Sequence, residues 1–383
     1  MKSSQKICLV SNTAWSFTRF RPDLLKALVN RGYDVLLLAP DDEYVGQLRA
    51  FGVRFREITK LSGKGMNPFQ DLMYYRELRR AYRQERPDAV IHYTIKPNIY
   101  GTLAAHSLDI PVISVITGLG YTFIAGGLLS KIAAKLYRFA LRRADRVWFL
   151  NHDDLAFFTQ HQLVAVQQTK CIPGEGVNVT DMFNPELVKQ ERDDRTGFTF
   201  LFIGRLLYDK GVREFVAAAK EIKKKYTKVD FQLLGYLNVD NPAAVDEAEL
   251  ATWLRDGTVT YLGSVIDVRP YIAIADCVVL PSYREGMSTT LQESAAMAKP
   301  LIASDIAGCK EIVDDGITGF LCRVKDVKSL VGCMERLLKL TPYQRDEMGR
   351  QGRQKMIREF SVDRIIDYYF KELDAVFCDG NLR

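Results

Sequence analysis

The stretch FTFLFIGRLLYDKGVREFVAAAKEIKKKY, residues 198–226, decides the fold. FTFLFI is a short apolar run of the kind a strand buried on both faces needs, and REFVAAAKEIKKKY has helical spacing. Between them GRLLYDKG (204–211) is the loop that leaves the strand and enters the helix. Strand, loop and helix in that order are the repeating unit of a parallel sheet. The same alternation fills the first half of the chain, where KICLVSN, YDVLLLAP, VRFREIT, DAVIHYT, PVISVIT and RVWFLN read as buried strands, and PDLLKALVNRG and DLMYYRELRRAYRQE as helices. Beyond residue 226 it continues through VDFQLLG, VTYLGSV, CVVLPS and PLIAS.

Two such series imply two α/β, doubly wound, Rossmann-like domains, as the length of 383 residues already suggests. The polar, charged passage NPELVKQERDDRTG (184–197) is the expected linker. It divides an N-terminal domain over 1–183 from a C-terminal one over 198–360, and a last helix at about 361–383 is expected to pack back on the first domain. Ligands of doubly wound sheets bind outside the carboxyl ends of the strands, so a cleft between facing domains is the expected active site.

Composition narrows the chemistry. A 47% apolar and 26% charged chain is that of a soluble globular protein, and no apolar run is long enough to span a bilayer. The opening MKSSQKICLVSNTAW enters a strand pattern directly, so no signal peptide is expected. Seven scattered cysteines without a C-x-x-C pair argue against a disulfide framework or zinc site and favour a reducing cytoplasm. The four histidines form no ligand pattern, so no metal and no cofactor are expected. Residues 1–180 carry a net charge of +9 and residues 181–383 one of −3. The N-terminal half therefore favours an anionic partner: a membrane surface, a phosphate-bearing substrate or nucleic acid.

Two constellations could bind anions. In GRLLYDKG, Arg205 and Lys210 stand at a strand end before a helix start, which suits a diphosphate, unless both are merely solvated and Asp209 pairs one of them. In SYREGMSTTLQESAAMAKP (282–300), Glu285 precedes a turn and Glu293 follows it. Thr290 and Glu293 fit a capping box, which would account for Glu293 but not for Glu285. The amides of the turn GMST would make a second anion cradle.

GRLLYDKG, the pair Glu285 and Glu293, and ASDIAGCKEIVDDGITGFL together resemble the retaining GT-B glycosyltransferases of family 4. SNTAWSFTRFRPDLLKALVNRGYDVLLLAP and TGLGY resemble its bacterial branch that extends polyprenyl-diphosphate-linked saccharides, so the likeness spans nearly the whole chain. The resemblance implies a metal-independent hexosyltransferase that takes a hexose or N-acetylhexosamine from a UDP-sugar for surface-glycan or glycoprotein synthesis, at the inner face of the cytoplasmic membrane. Arg205 and Lys210 would hold the donor diphosphate, with Gly204 beside it, and Glu293 would accept from the ribose hydroxyls. Glu285 would contact the transferred sugar, the backbone of Gly286, Met287, Ser288 and Thr289 would meet sugar and phosphate, and the base would lie near Tyr261 to Ile266.

Met287 and Ser288 stand where many members have phenylalanine and glycine. His92 lies on the fourth strand, where packing is the expected role, and Lys96 in the following loop is a candidate phosphate contact. Further acceptor or cleft candidates are Asn12 and Thr13 after the first strand and Gly118 and Gly120 in TGLGY, whose glycines either admit a ligand or only form a turn. Trp15 would meet a sugar face or pack, with Phe17, at the domain edge.

Spacing alone picks out a basic stripe. In GGLLSKIAAKLYRFALRRADRV (126–147), Lys131, Lys135, Arg138, Arg142 and Arg146 fall on one helical face, with Leu129, Leu136 and Ala140 opposite. Carboxylates are almost absent there, which favours an anionic membrane surface, with Leu128, Leu129 or Phe139 able to dip into the interface. Arg76, Arg79, Arg80, Arg83 and Arg86 repeat the theme, for which a solvated outer face is the usual explanation. The rival readings are a sugar-nucleotide 2-epimerase of the same fold and a non-catalytic anion-binding module. Nucleic acid is disfavoured because aromatic residues do not interleave with the basic stripes.

Overall fold

Each apolar run named above forms a strand in the computed structural model, which describes residues 4–61, 67–118, 127–188, 197–237 and 241–380. The first unit comprises residues 1–175 and 362–383, and the second 176–361.

In the first unit β1 (Lys6–Val10), β2 (Asp34–Ala39), β3 (Arg54–Glu57), β4 (Ala89–Tyr93), β5 (Val112–Ile116), β6 (Arg146–Phe149) and β7 (Thr169–Cys171) form a seven-stranded sheet in the order β3-β2-β1-β4-β5-β6-β7. Every pairing is parallel. All of β4 and β5 is buried, which is why their sequences are unbroken apolar runs rather than alternating ones. Strand order reverses between β1 and β4, the topological switch point.

Helices α1 (Trp15–Phe20), α2 (Pro22–Asn30) and α3 (Val45–Arg49) follow β1 and β2. Helix α4 (Pro68–Glu85), a π-helical turn at Pro97–Gly101, α5 (Thr102–His106) and α6 (Gly127–Leu141) pack side by side in one layer. The chain then forms α7 (His152–Gln160). Asn67 caps α4 by accepting from the amides of Phe69 and Gln70, and Pro68 presets its first turn.

The second unit places β8 (Phe198–Ile203), β9 (Val229–Leu234), β10 (Thr260–Tyr261), β11 (Cys277–Leu280), β12 (Leu301–Ser304) and β13 (Gly319–Cys322) in the parallel order β10-β9-β8-β11-β12-β13. Its helices are α8 (Val212–Lys223), α9 (Glu247–Arg255), α10 (Arg269–Ile274), α11 (Thr289–Ala296), α12 (Val327–Lys339) and α13 (Pro342–Lys355). The core includes Phe200, Phe202, Phe215 and Phe231, all buried.

The chain passes between units at 175/176 rather than at the polar passage 184–197. Val177, Val179 and Phe183 are buried in the second unit's core, and Val177 bridges Ser361 with its N–H on Phe360 O at 2.9 Å. Of that passage Glu186, Leu187 and Gly197 are exposed, and residues 189–196 lie outside the described residues. The last helix, α14 (Val362–Gly380), belongs to the first unit: Tyr369 packs edge-on against Trp148 at 4.8 Å and shares a 2.9 Å hydrogen bond with Tyr93. Beneath it Arg21, buried and 3.6 Å over the Tyr93 ring, pairs with partly buried Glu175.

Candidate active site

In the second unit the loop after β8 and the loop after β11 lie against each other at the carboxyl end of the sheet. Tyr283 N and Ser282 Oγ both donate to Asp209 O, at 2.8 and 3.1 Å. Gly211 has φ +75°, and a Cβ there would lie 2.0 Å from Pro281 O, so only glycine lets the two loops approach this closely. The result joins two residues 75 positions apart: Lys210 Nζ donates to Glu285 Oε1 at 2.6 Å. Lys210 is therefore held by Glu285 and not by Asp209. Arg205, in the same loop after β8, is exposed and, among the described residues, has no ion-pair partner.

Ser288 caps α11, its hydroxyl accepting from Leu291 N at 3.3 Å. The capping box expected at Thr290 and Glu293 does not form: the cap lies two residues earlier, because Ser288 takes the extended cap conformation and Thr289 already begins the helix. Glu293 lies inside α11 and is 5% exposed, so end-capping does not explain it. The Ser288 amide donates to Gly308 O at 3.0 Å and is not available as an anion donor. Thr289 is the first helical residue, where amides lack partners within the helix.

A third loop completes this wall. Gly308 has φ +78°, and a Cβ on it would sit 2.8 Å from Glu285 Cβ and from the carbonyl oxygens of Glu285 and Gly286. Met287 packs against the core, while Gly204 is half-buried and hydrogen-bonded to Leu234 O. In the stretch 261–266, Tyr261, Leu262 and Val265 turn inward, and Tyr261 Oη donates to Gly235 O at 2.8 Å. Ile266 stands in solvent, 99% exposed. A cavity of about 720 Å³ lined by Lys228, Lys299 and Arg345 lies at the amino ends of these strands, away from this wall.

In the first unit Asn12 is exposed at the end of β1, and Thr13 accepts from Ser16 N at 3.3 Å. Gly118, with φ +138°, follows β5, and Gly120 lies outside the described residues. Lys96 is engaged: its Nζ donates to Asp71 Oδ1 at 2.9 Å, and Tyr100 donates to the other carboxylate oxygen at 2.8 Å. This network joins the loop after β4 to the first turn of α4, with Lys96 ion-paired to Asp71.

The two halves of the chain match two family models, "Glycosyl transferase 4-like domain" over residues 18–173 and "Glycosyl transferases group 1" over 197–340. The chain is a family 4 glycosyltransferase.

The transferase is 28% identical over 340 residues to the Campylobacter jejuni N,N'-diacetylbacillosaminyl-diphospho-undecaprenol alpha-1,3-N-acetylgalactosaminyltransferase, covering 85% of this chain and 87% of that protein. It is 24% identical over 356 residues to the Escherichia coli UDP-Gal:alpha-D-GlcNAc-diphosphoundecaprenol alpha-1,3-galactosyltransferase, covering 89% and 90%. The crystal structure of Anabaena HepE in complex with UDP and glucose superposes with a TM-score of 0.77 at 16% identity, over 97% of this chain and 99% of that one. That likeness shows the GT-B fold.

Packing in the transferase's first unit bears on three of the expectations, and His92 takes the packing role expected of it. His92 is wholly buried, with Nε2 2.8 Å from Tyr82 Oη and Nδ1 3.2 Å from Thr102 Oγ1, and burial pushes its pKa down to about 3. It is a neutral packing residue. Phe17 is buried against Tyr93, whereas Trp15 remains 37% exposed. Finally, Arg146 leaves the basic stripe. Helix α6 ends at Leu141, Arg146 begins β6, and its Nε lies 3.5 Å from Glu372 of α14. The helical period does not extend past the turn at 142–143. Lys131, Lys135, Arg138 and Arg142 are exposed, and Ala133, Tyr137, Ala140 and Leu141 form the buried face. The side chains of Leu128 and Leu129 lie outside the described residues.

Sequence reasoning missed Asp71, which orders the loop after β4, and the contact of Gly308 with Glu285. The signal for the second was present, since ASDIAGCKE places a glycine in the loop after β12.

Proposed function

We propose that the transferase moves a hexose or N-acetylhexosamine from a UDP-sugar to a saccharide carried on a polyprenyl diphosphate, in surface-glycan synthesis, with retention of anomeric configuration and without a metal ion. The observation that carries this reading is the Lys210–Glu285 pair at 2.6 Å, with exposed Arg205 in the same loop after β8, at the carboxyl end of that strand. Two cations at this position suit a diphosphate, and a carboxylate within hydrogen-bond reach of one of them suits the sugar attached to it. Buried Glu293, one turn into α11, suits the ribose. Relatives that act on undecaprenyl-diphosphate saccharides and a neighbour that binds UDP support the same substrates.

In this reading the carbon–oxygen bond to the diphosphate breaks as Arg205 and Lys210 take up the charge of the leaving group. The acceptor hydroxyl attacks from the same face, and its proton passes to the departing diphosphate. Glu285 lies beside the sugar and stabilises the positive charge developing on it, a contribution of a few kcal/mol, without forming a bond. The cations do the work that a metal performs elsewhere. The acceptor's lipid requires the first unit to meet the cytoplasmic membrane surface, and the exposed cations of α6, a helix without a carboxylate, suit anionic headgroups.

The test is proton NMR of the product formed in EDTA from an α-linked UDP-sugar and a short polyprenyl-diphosphate saccharide. An α linkage formed at an undiminished rate supports the mechanism. A β linkage, or complete loss of rate restored by magnesium or manganese, overturns it.

A further inference from the structure

Helix α4 carries a second exposed stripe, different in kind from that of α6. Phe69, Leu72, Arg76, Arg80 and Arg83 recur at spacings of three, four, four and three, and all five are exposed. Phe69 is 71% and Leu72 43% exposed, although both sit in the first two turns of an otherwise well-packed helix.

The acidic residues of α4 do not neutralise these arginines. Asp71 is bonded to Lys96 and Tyr100. Glu77 accepts from the amides of Thr59 and Lys60 at 3.0 and 2.9 Å, and Glu85 accepts from Arg54 and Arg56. All three carboxylates are thus committed within the unit. Among the described residues none pairs with Arg76, Arg80 or Arg83.

Position adds the functional link. Helix α4 follows β3 and returns to parallel β4, so it runs against the strands and its first turn lies at their carboxyl end. The Asp71–Lys96 contact fixes that turn beside the loop after β4, at the switch point where a sugar acceptor would bind. Helix α6 lies in the same layer and also exposes apolar side chains, Ile132 at 40% and Phe139 at 53%.

We propose that Phe69 and Leu72 are an apolar toe that enters the hydrocarbon edge of an anionic bilayer, with Arg76, Arg80 and Arg83 against its phosphates, so that the acceptor loops meet the membrane where the lipid's first sugar emerges. This rests on the membrane reading of α6 and assigns the inserted element to α4. An apolar pair ahead of uncompensated cations matches the lipid interface, which is apolar beneath and anionic above.

The test uses Phe69→Trp and Phe69→Ser/Leu72→Ser with phosphatidylglycerol–phosphatidylcholine vesicles, with and without brominated acyl chains. Wild type provides the background for Trp15, Trp148 and Trp253. Expected are a blue shift and bromine quenching of the added tryptophan on vesicle binding, and about a tenfold lower vesicle affinity for the double serine variant. That variant should slow on a long-chain acceptor and keep its rate on a short, soluble one, with unchanged melting. Vesicle-bound protein whose added tryptophan is neither shifted nor quenched overturns the toe and leaves the α6 reading intact. A wild-type protein that does not bind vesicles overturns both. A dimer that the serine variant dissociates, without any vesicle effect, assigns the patch to a second copy of the chain and likewise overturns the proposal.

Discussion

Replacing Glu285 with glutamine is expected to tighten UDP binding while slowing transfer, because this carboxylate holds the cation that the diphosphate requires. Lys210 Nζ lies 2.6 Å from Glu285 Oε1, and the two side chains are 20% and 11% exposed. At an effective dielectric of about 20 the gross attraction is about 6 kcal/mol. Desolvation offsets most of it, and the net worth of such a charge-assisted hydrogen bond is about 1.5 to 3 kcal/mol. A diphosphate that draws Lys210 toward itself forfeits part of that bond. Glutamine keeps the shape and an acceptor oxygen but removes the charge, so about 1 to 1.5 kcal/mol returns to binding and Kd falls about five- to tenfold. Lys210→Ala acts in the opposite direction: loss of one cation costs about 2 to 5 kcal/mol, raising Kd at least about thirtyfold. Calorimetric titration of UDP into both variants and their double combination measures the coupling. UDP affinity unchanged in both single variants would refute the placement of the diphosphate.

Glu293→Gln should act on the donor's KM, raising it about five- to thirtyfold as a charged hydrogen bond becomes a neutral one, with kcat little changed; an equal fall in kcat would argue against a ribose contact. The depressed pKa of His92 makes stability pH-dependent with a definite sign. The unfolded chain takes up a proton near pH 6.5 that the folded one refuses until about pH 3, so stability is flat above that range and is lost as pH falls through it. The loss between pH 7 and pH 5 is about 2 kcal/mol, and denaturant titrations of His92→Gln should lack that slope. Changing Lys135, Arg138 and Arg142 together to glutamate should abolish salt-sensitive sedimentation with anionic vesicles and spare activity on a soluble acceptor. Equal loss on both acceptors would instead indicate misfolding.

Fully buried strands were the most legible part of the chain, because β1, β4, β5 and β8 have no solvent face and read as unbroken apolar runs. The strands not foreseen, β7 and β13, have three and four residues, too few to show a period. For the site, position between strand and helix pointed to Arg205 and Lys210 and the family resemblance to Glu285, yet nothing local could say that Lys210 bonds Glu285 rather than Asp209 one residue away. That choice is made by Gly211, whose missing side chain admits Pro281. The capping box failed because two cap candidates, Ser288 and Thr290, compete for one helix start, and Ser288 takes it with its hydroxyl on Leu291 N. Arg146 was misassigned because a helical period in charged residues continues through a turn that ends the helix. Lys96 looked free because its partner, Asp71, is 25 residues away on another element.

Sugar transfer itself is the most direct test. The protein is incubated with a panel of UDP-sugars, with and without a short-chain polyprenyl-diphosphate saccharide, and both lipid and nucleotide products are analysed by mass spectrometry and chromatography. The account predicts one added hexose or N-acetylhexosamine on the lipid, UDP released in equal amount, and loss of both products in Lys210→Ala. Interconversion of one UDP-sugar into its 2-epimer without acceptor, or lipid left unextended by every donor, would contradict it.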